Sequence, residues 1–91
     1  MKTKFLKTFK NDLLKIKSRD ILERVEKLII AVEKAADLRE LKAIPKTGKL
    51  KGHKIYYKTK IKEYRAGMKV KNSIVEFMRF LHRKDIYRRF P

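Results

Sequence analysis

The sequence predicts an α+β fold in which an N-terminal helical hairpin packs on one face of a small twisted antiparallel sheet. Two observations predict this class: apolar residues recur at helical spacing in the first half of the chain, and at every second position after Lys54. The hydrophobic period changes between Gly48 and Lys54, and helices followed by strands are typical of α+β domains. We expect residues 1–91 to form a single domain, because this length can bury one modest core.

The N-terminal half predicts two amphipathic helices joined by a tight turn. After a short strand at residues 2–6, a helix begins at Thr8 and carries apolar residues near helical spacing as far as Ile16. Ser18 is a suitable N-cap for the second helix, and Asp20 places a negative charge in its first turn, where the helix dipole favours one. The apolar face of the second helix consists of Ile21, Leu22, Val25, Leu28, Ile29 and Val32.

The second half predicts a connecting loop and three strands. A further short helical turn is expected at residues 36–41. Pro45 and Gly48 interrupt the pattern, so residues 44–52 are expected to form a basic loop. The antiparallel meander that follows is expected to have strands near residues 55–61, 64–70 and 73–80.

Alternation in the first two of these strands predicts a cationic sheet face. The residues expected to face the helices are Tyr57, Thr59, Ile61, Tyr64, Ala66 and Met68. The residues on the opposite face are then Lys58, Lys60, Arg65 and Lys69. Because an antiparallel sheet can leave one face open to water, we expect a cationic platform that suits a phosphodiester backbone.

Charge and composition restrict the class of protein. The chain has 27 Lys and Arg residues against 10 Asp and Glu, a net charge of +17, and residues 41–91 hold only three of the acids. Such an excess favours a polyanionic partner. Cysteine is absent, which excludes disulfides and thiol nucleophiles, and the longest apolar run, residues 28–32, is too short to span a membrane. We therefore expect a cytoplasmic protein with no membrane contact, no metal site and no cofactor.

Two strings in the C-terminal half carry a family resemblance. They are KLKGHKIYYKTKIKEYRAG at Lys49–Gly67 and RFLHRKDIYRRFP at Arg79–Pro91. The first is similar to the hairpin motif, and the second to the C-terminal motif, of the RelE/ParE superfamily of bacterial toxin–antitoxin toxins. The helical N-terminal half fits the same family, so the resemblance covers essentially the whole chain.

The resemblance to the RelE branch implies a ribosome-dependent endoribonuclease that cuts messenger RNA in the A site without a metal ion. In such enzymes the 2′-hydroxyl attacks the adjacent phosphate, which gives a 2′,3′-cyclic phosphate and a free 5′-hydroxyl. Matching the family pattern residue by residue implies a catalytic set of Lys58, Lys60, Arg65, Arg83 and Tyr87. The resemblance also implies a cognate antitoxin as partner, and contacts to messenger RNA and 16S ribosomal RNA.

These residue types suit that reaction. Guanidinium groups stabilise the extra charge of a pentacovalent phosphate. Neighbouring like charges favour the neutral form of a lysine, so Lys58 or Lys60 is a candidate base, while Tyr87 is a candidate for stacking on a nucleobase or donating a proton. His82 is a candidate accessory acid–base group. Further cations expected to bind RNA are Lys49, Lys51, Lys54, Lys62, Lys69, Arg88 and Arg89.

Each candidate residue also has a purely structural interpretation. Lys58 and Lys60 could be solvated strand positions, and Arg83 could pair with Asp85 or with the chain's C-terminus. Tyr87 could be a packing residue near the end of the chain.

The sequence departs from the family pattern at a few positions. Lys58 and Lys60 occupy positions where many relatives have arginine, which retains the charge but loses the bidentate geometry. Thr59 replaces an aliphatic residue. Lys62 occupies the position of the family's turn glycine, so the type of hairpin stays open.

Two other functions stay open, because a fold does not determine a function. One is a ParE-like inhibitor that binds DNA gyrase without catalysis, and the other is an RNA-binding protein without catalysis. The cationic set together with Arg83 and Tyr87 is typically lacking in the gyrase inhibitors, and it favours the ribonuclease.

Overall fold

The computed structural model describes residues 1–91 as five strands and four helices. In chain order these elements are β1 (Lys2–Phe5), α1 (Lys7–Leu14), α2 (Arg19–Lys34), α3 (Leu38–Ala43), β2 (Thr47–Lys49), β3 (Tyr56–Ile61), β4 (Tyr64–Lys71), β5 (Ile74–His82) and α4 (Arg83–Arg89). The predicted α+β class is confirmed. None of the helices is long and apolar enough to cross a membrane.

The helical hairpin forms where the hydrophobic spacing predicts it. Helix α2 begins directly after Ser18, whose side chain accepts a hydrogen bond from the Ile21 amide at 3.2 Å. That bond satisfies one of the free N–H groups of the first turn. The short helix predicted at residues 36–41 is observed as α3, with Asp37 as its N-cap. The buried residues of α2 are Ile21, Val25, Leu28 and Val32, all of them on its predicted apolar face.

The main core lies between the helical hairpin and one face of the sheet. It includes Phe9 of α1, Val32 of α2 and Phe77 of β5, which are almost completely buried. The predicted inward-facing strand residues Tyr57, Ile61, Ala66 and Met68 belong to this core, and Tyr64 packs against it. The strand alternation is therefore confirmed. We call the opposite side of the sheet the outer face.

The sheet has five strands in the order β1-β5-β4-β3-β2, so it is larger than the predicted meander. The strands β3, β4 and β5 form that meander, and they are antiparallel as predicted. The predicted opening strand is present as β1, but it pairs with β5 in parallel, with Phe5 opposite Phe77. The expectation of a purely antiparallel sheet is wrong at this edge. Pairing between strands so far apart in sequence leaves no trace in local hydrophobic spacing.

The segment expected to be a loop, residues 44–52, contains the edge strand β2. Thr47 lies opposite Thr59 in antiparallel register, and the two threonine hydroxyls are 2.7 Å apart. The expectation of a loop is therefore wrong for Thr47–Lys49. A strand of three residues is too short to show a period of two, so the sequence did not indicate it.

Helix α4 was not predicted, and it lies on the outer face. Its Ile86 packs with Phe90, Leu50 and Leu81 in a second, smaller core. Gly67 of β4 makes room for this packing, because a Cβ there would lie 2.8–2.9 Å from atoms of the Phe90 ring. The helical hairpin lies on one face of the sheet as predicted, but helix α4 lies on the opposite face, which was expected to be open.

A buried ion pair fastens α1 to β5. Asp12 is 5% exposed and accepts hydrogen bonds from Arg79 Nε at 2.8 Å, from Arg79 Nη2 at 3.0 Å and from the Phe80 amide at 2.9 Å. The hydrogen bond to Asp12 raises the pKa of Arg79, and the charge of Asp12 adds to it, while burial partly opposes it. The pair adjoins the irregularity in the β4–β5 register between Gly67 and Met68, since Arg79 lies opposite Gly67.

Candidate functional site

The outer face of β3 and β4 presents three cations in register. Lys60 lies opposite Arg65 across the β3–β4 ladder, and Lys58 lies opposite Gly67. Strand side chains alternate between faces. Tyr57, Ile61 and Ala66 belong to the main core and Thr59 is buried, so all three cations project away from the core. The alternation therefore builds the predicted cationic platform.

The Arg65 side chain is held by the turn beside it. Its Nη1 donates to the carbonyl oxygens of Lys62 at 3.0 Å and of Tyr64 at 2.9 Å. Lys62 has a φ of 55°, so the position of the family's turn glycine keeps a left-handed backbone despite its side chain. These two bonds restrict the Arg65 side chain, so it loses little conformational entropy when it binds an anion.

Tyr87 of α4 reaches β3 across the outer face. Its hydroxyl accepts a hydrogen bond from the Lys58 ammonium, whose nitrogen lies 4.4 Å from the centre of the Tyr87 ring. That hydrogen bond lowers the pKa of Tyr87; the charges of Lys58 and Arg65 act in the same direction, and desolvation opposes them. With 63% of its surface exposed, Tyr87 is not a packing residue. Its phenol is a stronger acid than an ordinary tyrosine and is open to a ligand.

These side chains line an open cleft of about 410 Å³ on the outer face. Four of the five predicted catalytic residues line it: Lys58, Lys60, Arg65 and Tyr87. The other lining residues are Lys46, Thr47 and Gly48. No carboxylate lines the cleft, so its chemistry favours an anion. Sequence reasoning missed Lys46, which the unpredicted strand β2 brings beside β3.

Arg83, the fifth predicted catalytic residue, is exposed and does not line the cleft. Its amide donates to the Glu63 carbonyl at 2.7 Å, which fixes the start of α4 beside the β3–β4 turn. Arg83 is four positions before Tyr87, so both lie on the same side of α4. The alternative in which Arg83 pairs with Asp85 is not observed, since Asp85 pairs with Arg88 at 2.8 Å.

His82 lies outside the cleft and has a structural role. Its Nδ1 accepts a hydrogen bond from the Lys84 amide at 3.1 Å, which makes His82 the N-cap of α4. Its ring also packs edge-on against Tyr64. The position of His82 gives no support to the predicted accessory acid–base role.

The seven cations predicted to bind RNA do not form one group. Lys69 lines a separate depression on the outer face, and Arg89 lines another depression beside His82. Arg88 is engaged with Asp85. The remaining four are exposed and lie in β2 or in the connections on either side of β3: Lys49, Lys51, Lys54 and Lys62. No three His, Asp or Glu side chains lie close enough together to hold a metal ion.

Comparison with known proteins gives consistent matches over nearly the whole chain. A family model described as ParE toxin of type II toxin-antitoxin system, parDE, matches residues 3–87. Toxin RelE3 of Methanocaldococcus jannaschii is 37% identical over the full length of both chains. A chain of the RelB–RelE antitoxin–toxin complex from Methanococcus jannaschii matches with a TM-score of 0.80 and 32% identity, covering 97% of this chain and 99% of that one. A chain of the E. coli DinJ–YafQ complex shares the fold, with a TM-score of 0.62, 15% identity and coverage of 93% and 96%.

Proposed function

We propose, from the premise that the chain belongs to the RelE/ParE superfamily of type II toxin–antitoxin toxins, that it is a ribosome-dependent endoribonuclease acting on messenger RNA without a metal ion. The observation that carries this proposal is the cleft lined by Lys58, Lys60, Arg65 and Tyr87, with no carboxylate in the lining. Such a lining suits a phosphodiester, and the phenol supplies an acid. The full-length relative that is named a RelE toxin supports the RelE branch.

The proposed reaction is an internal transfer at one phosphate. The 2′-oxygen forms a bond to the adjacent phosphorus, and the bond from phosphorus to the 5′-oxygen breaks. The proton of the 2′-hydroxyl goes to a base, and the leaving 5′-oxygen takes a proton from an acid. The products are a 2′,3′-cyclic phosphate and a 5′-hydroxyl. Arg65 and Arg83 stabilise the additional negative charge of the pentacovalent phosphate.

Lys58 and Tyr87 act as a pair in this reaction. The Lys58 ammonium donates to the phenol oxygen and lowers the pKa of Tyr87, which makes Tyr87 the better proton donor to the leaving 5′-oxygen. Because Lys58 is engaged in this way, the role of base falls to Lys60, which is exposed and lies opposite Arg65.

Primer extension on a translated message, with and without ribosomes, tests the proposal. The wild type should cleave only when ribosomes are present, and EDTA should have no effect. Arg65→Ala and Arg83→Ala should each lower the rate by about 10²-fold or more, since each removes a donor to the developing charge. Lys60→Ala should cost more than Lys58→Ala, because Lys60 is the proposed base. Arg39→Ala, on the exposed surface of α3, is the matched control.

The nature of the products gives a second, independent check. Products that end in 3′-hydroxyl and 5′-phosphate contradict attack by the 2′-hydroxyl. Cleavage that requires a metal ion, or that survives in the Arg65/Arg83 double alanine variant, contradicts the assigned residues.

The proposed partner is a cognate antitoxin. Two of the similar solved structures are complexes of a toxin with its antitoxin. A strongly positive outer face favours an acidic or amphipathic segment that covers the cleft and blocks access of RNA. Expression of the chain alone should arrest growth, and co-expression of the small protein encoded beside it should restore growth. A chain that is harmless at high expression and binds no such protein contradicts this assignment.

A ParE-like inhibitor of DNA gyrase is the second candidate, because the matching family model describes a ParE toxin. The two functions differ in their first effect on a cell. A ribonuclease stops translation rapidly, whereas a gyrase inhibitor induces the SOS response. Induction of the gene, followed by measurement of both effects, separates them.

A further inference from the structure

Lys46 occupies a backbone position that normally belongs to glycine. The Thr47 amide donates to the Ile44 carbonyl at 3.2 Å, which closes a four-residue turn with Pro45 and Lys46 at its centre. Lys46 has a φ of 64°. Proline followed by a left-handed residue is the signature of a type II turn, in which glycine or asparagine is preferred at the second of the two central positions. A lysine there strains the backbone.

The Lys46 side chain adds a second unfavourable interaction. It lines the cleft together with Lys58, Lys60 and Arg65, and it forms no ion pair there. Like charges that line one cleft repel one another, so we expect the charge of Lys46 to be unfavourable in the free protein. Strain of this kind, at a position where another residue would fit better, points to a role in function.

The turn places Lys46 beside a proposed reactive group. The carbonyl of Lys46 accepts a hydrogen bond from the Lys60 amide at 3.1 Å, so the backbone of the turn is tied directly to β3 at the proposed base. An RNA strand that presents one phosphate to Lys60 and Arg65 extends beyond them on both sides. On the side of β2, Lys46 is the cation that lines the cleft.

We propose that Lys46 is a substrate-binding residue which holds the phosphate next to the one that is cleaved. This inference rests on the proposed function for the identity of the RNA strand. Lys46 does not touch the reacting atoms, so its contribution is to the binding and register of the RNA. A bound phosphate neutralises the cleft and so offsets the charge repulsion among its cations.

The test compares stability and RNA binding in the same variants. Lys46→Asn and Lys46→Gly both tolerate the left-handed backbone, so both should melt at the wild-type temperature or above it. Binding is measured by fluorescence anisotropy with a 2′-O-methyl RNA oligonucleotide, which lacks the attacking hydroxyl and stays uncut. Both variants should raise the Kd about tenfold, as the loss of one charged contact does, while Lys46→Arg stays near wild type.

Cleavage kinetics on programmed ribosomes separate binding from chemistry. Lys46→Asn should raise KM about tenfold and leave kcat nearly unchanged, because the lost contact is not specific to the transition state. Two controls match the two changes that Lys46→Asn makes. Asn72→Gly places glycine at another left-handed position, in the β4–β5 turn. Lys27→Ala removes an exposed lysine of α2. Both variants should leave Kd and KM unchanged.

The outcomes distinguish this inference from the proposed function. If Lys46→Asn binds the oligonucleotide as tightly as the wild type, the inference is overturned, whether or not the wild type cleaves. If the wild type binds but does not cleave, while Lys46→Asn weakens binding, Lys46 is a phosphate-binding residue and the ribonuclease assignment fails.

Discussion

At the scale of single residues, the contact between Lys58 and Tyr87 is the centre of the site. The two residues come from β3 and α4, and neither is buried. Their contact depends on the packing of α4, and it converts an ordinary phenol into a polarised one. Sequence reasoning identified both residues from the family resemblance, but it gave no reason why they should touch.

Tyr87 should ionise below the ordinary tyrosine pKa of 10.0, because Lys58 donates a hydrogen bond to it and favours the phenolate. Titration of tyrosine absorbance should show an early step that is absent in Tyr87→Phe and moves to higher pH in Lys58→Met. Since a phenolate has no proton to donate, cleavage should also fall at a lower pH than an ordinary tyrosine would allow. A Tyr87 step at or above the ordinary value contradicts the contact.

The lowered pKa of Tyr87 determines how its ionisation contributes to the free energy of unfolding. The folded protein favours the phenolate, so the stabilisation is complete only above the unfolded pKa and is lost as the pH falls through the folded pKa. At neutral pH the contact therefore adds no stability through ionisation. At neutral pH the contact changes the acidity of the Tyr87 phenol and not, through ionisation, the free energy of unfolding.

At the scale of elements, α4 is attached to the sheet through Phe90 and Ile86. The ring of Phe90 occupies the space that a side chain at Gly67 would need. Because α4 also carries Tyr87, the glycine determines whether Tyr87 reaches Lys58 of β3. A position in the middle of a strand thus controls a helix that follows much later in the chain.

Gly67→Ala should displace Phe90 and loosen α4, because the new Cβ would lie under 3.0 Å from the ring. We expect a loss of about 2 kcal/mol in the free energy of unfolding, as overpacking typically causes. Urea denaturation measures it, and Gly48→Ala is the control, since no atom lies within 4 Å of a Cβ at Gly48. Equal stability of the Gly67→Ala variant and the wild type contradicts this account.

The buried pair of Asp12 and Arg79 should contribute far more to stability than an exposed pair. Asp12→Asn leaves the Arg79 guanidinium without its carboxylate, so the free energy of unfolding should fall by about 3 kcal/mol. Asp20→Asn breaks the exposed pair with Arg24 and should cost less than about 1 kcal/mol. Equal losses in the two variants, measured by thermal and urea denaturation, contradict the role assigned to Asp12.

The elements that were predicted from a hydrophobic period are the longer ones, whereas the short β1 and α3 were predicted without one. Helix α2 and the strands β3 and β4 present several apolar residues on one side each, which is why they were found. Strand β2 has three residues and α4 has seven, so neither shows a period. Asp12 was missed although it lies at helical spacing from Phe9 and Ile16, on the apolar side of α1. An acid at such a position is a usable signal for a buried ion pair.

The candidate site was predicted better than the sheet that carries it. Alternation placed Lys58, Lys60 and Arg65 on one face, and the structure agrees. Lys46 was missed because its position depends on the pairing of β2 with β3, and His82 was overrated because its capping role depends on α4. Tertiary contacts of this kind leave no local pattern in a sequence.

At the scale of the whole molecule, the net charge of +17 governs how the protein meets its substrate. Positive charge on the outer face attracts RNA from a distance and speeds association. The helical half carries most of the acids, so the field is directional. Encounter is therefore electrostatic, and specificity comes from the few groups in the cleft.

Binding of the 2′-O-methyl oligonucleotide should weaken steeply with salt. Four cations line the cleft, and single-stranded RNA releases about 0.7 counterions per phosphate neutralised, so the plot of log affinity against log salt should have a slope of about −3. Anisotropy titrations at several potassium concentrations measure the slope. A slope near zero contradicts a phosphate-binding cleft.

The pairing of β1 with β5 limits the order in which the parts of the fold can form while the chain is being synthesised. A growing chain that has reached Arg65 already carries the cations of the cleft, but the strand that will hold β1 has not been made. Tyr87 follows later still, on the helix after β5. The parallel pairing of β1 and the contact of Tyr87 with Lys58 therefore both wait for parts of the chain that follow the cations of the cleft.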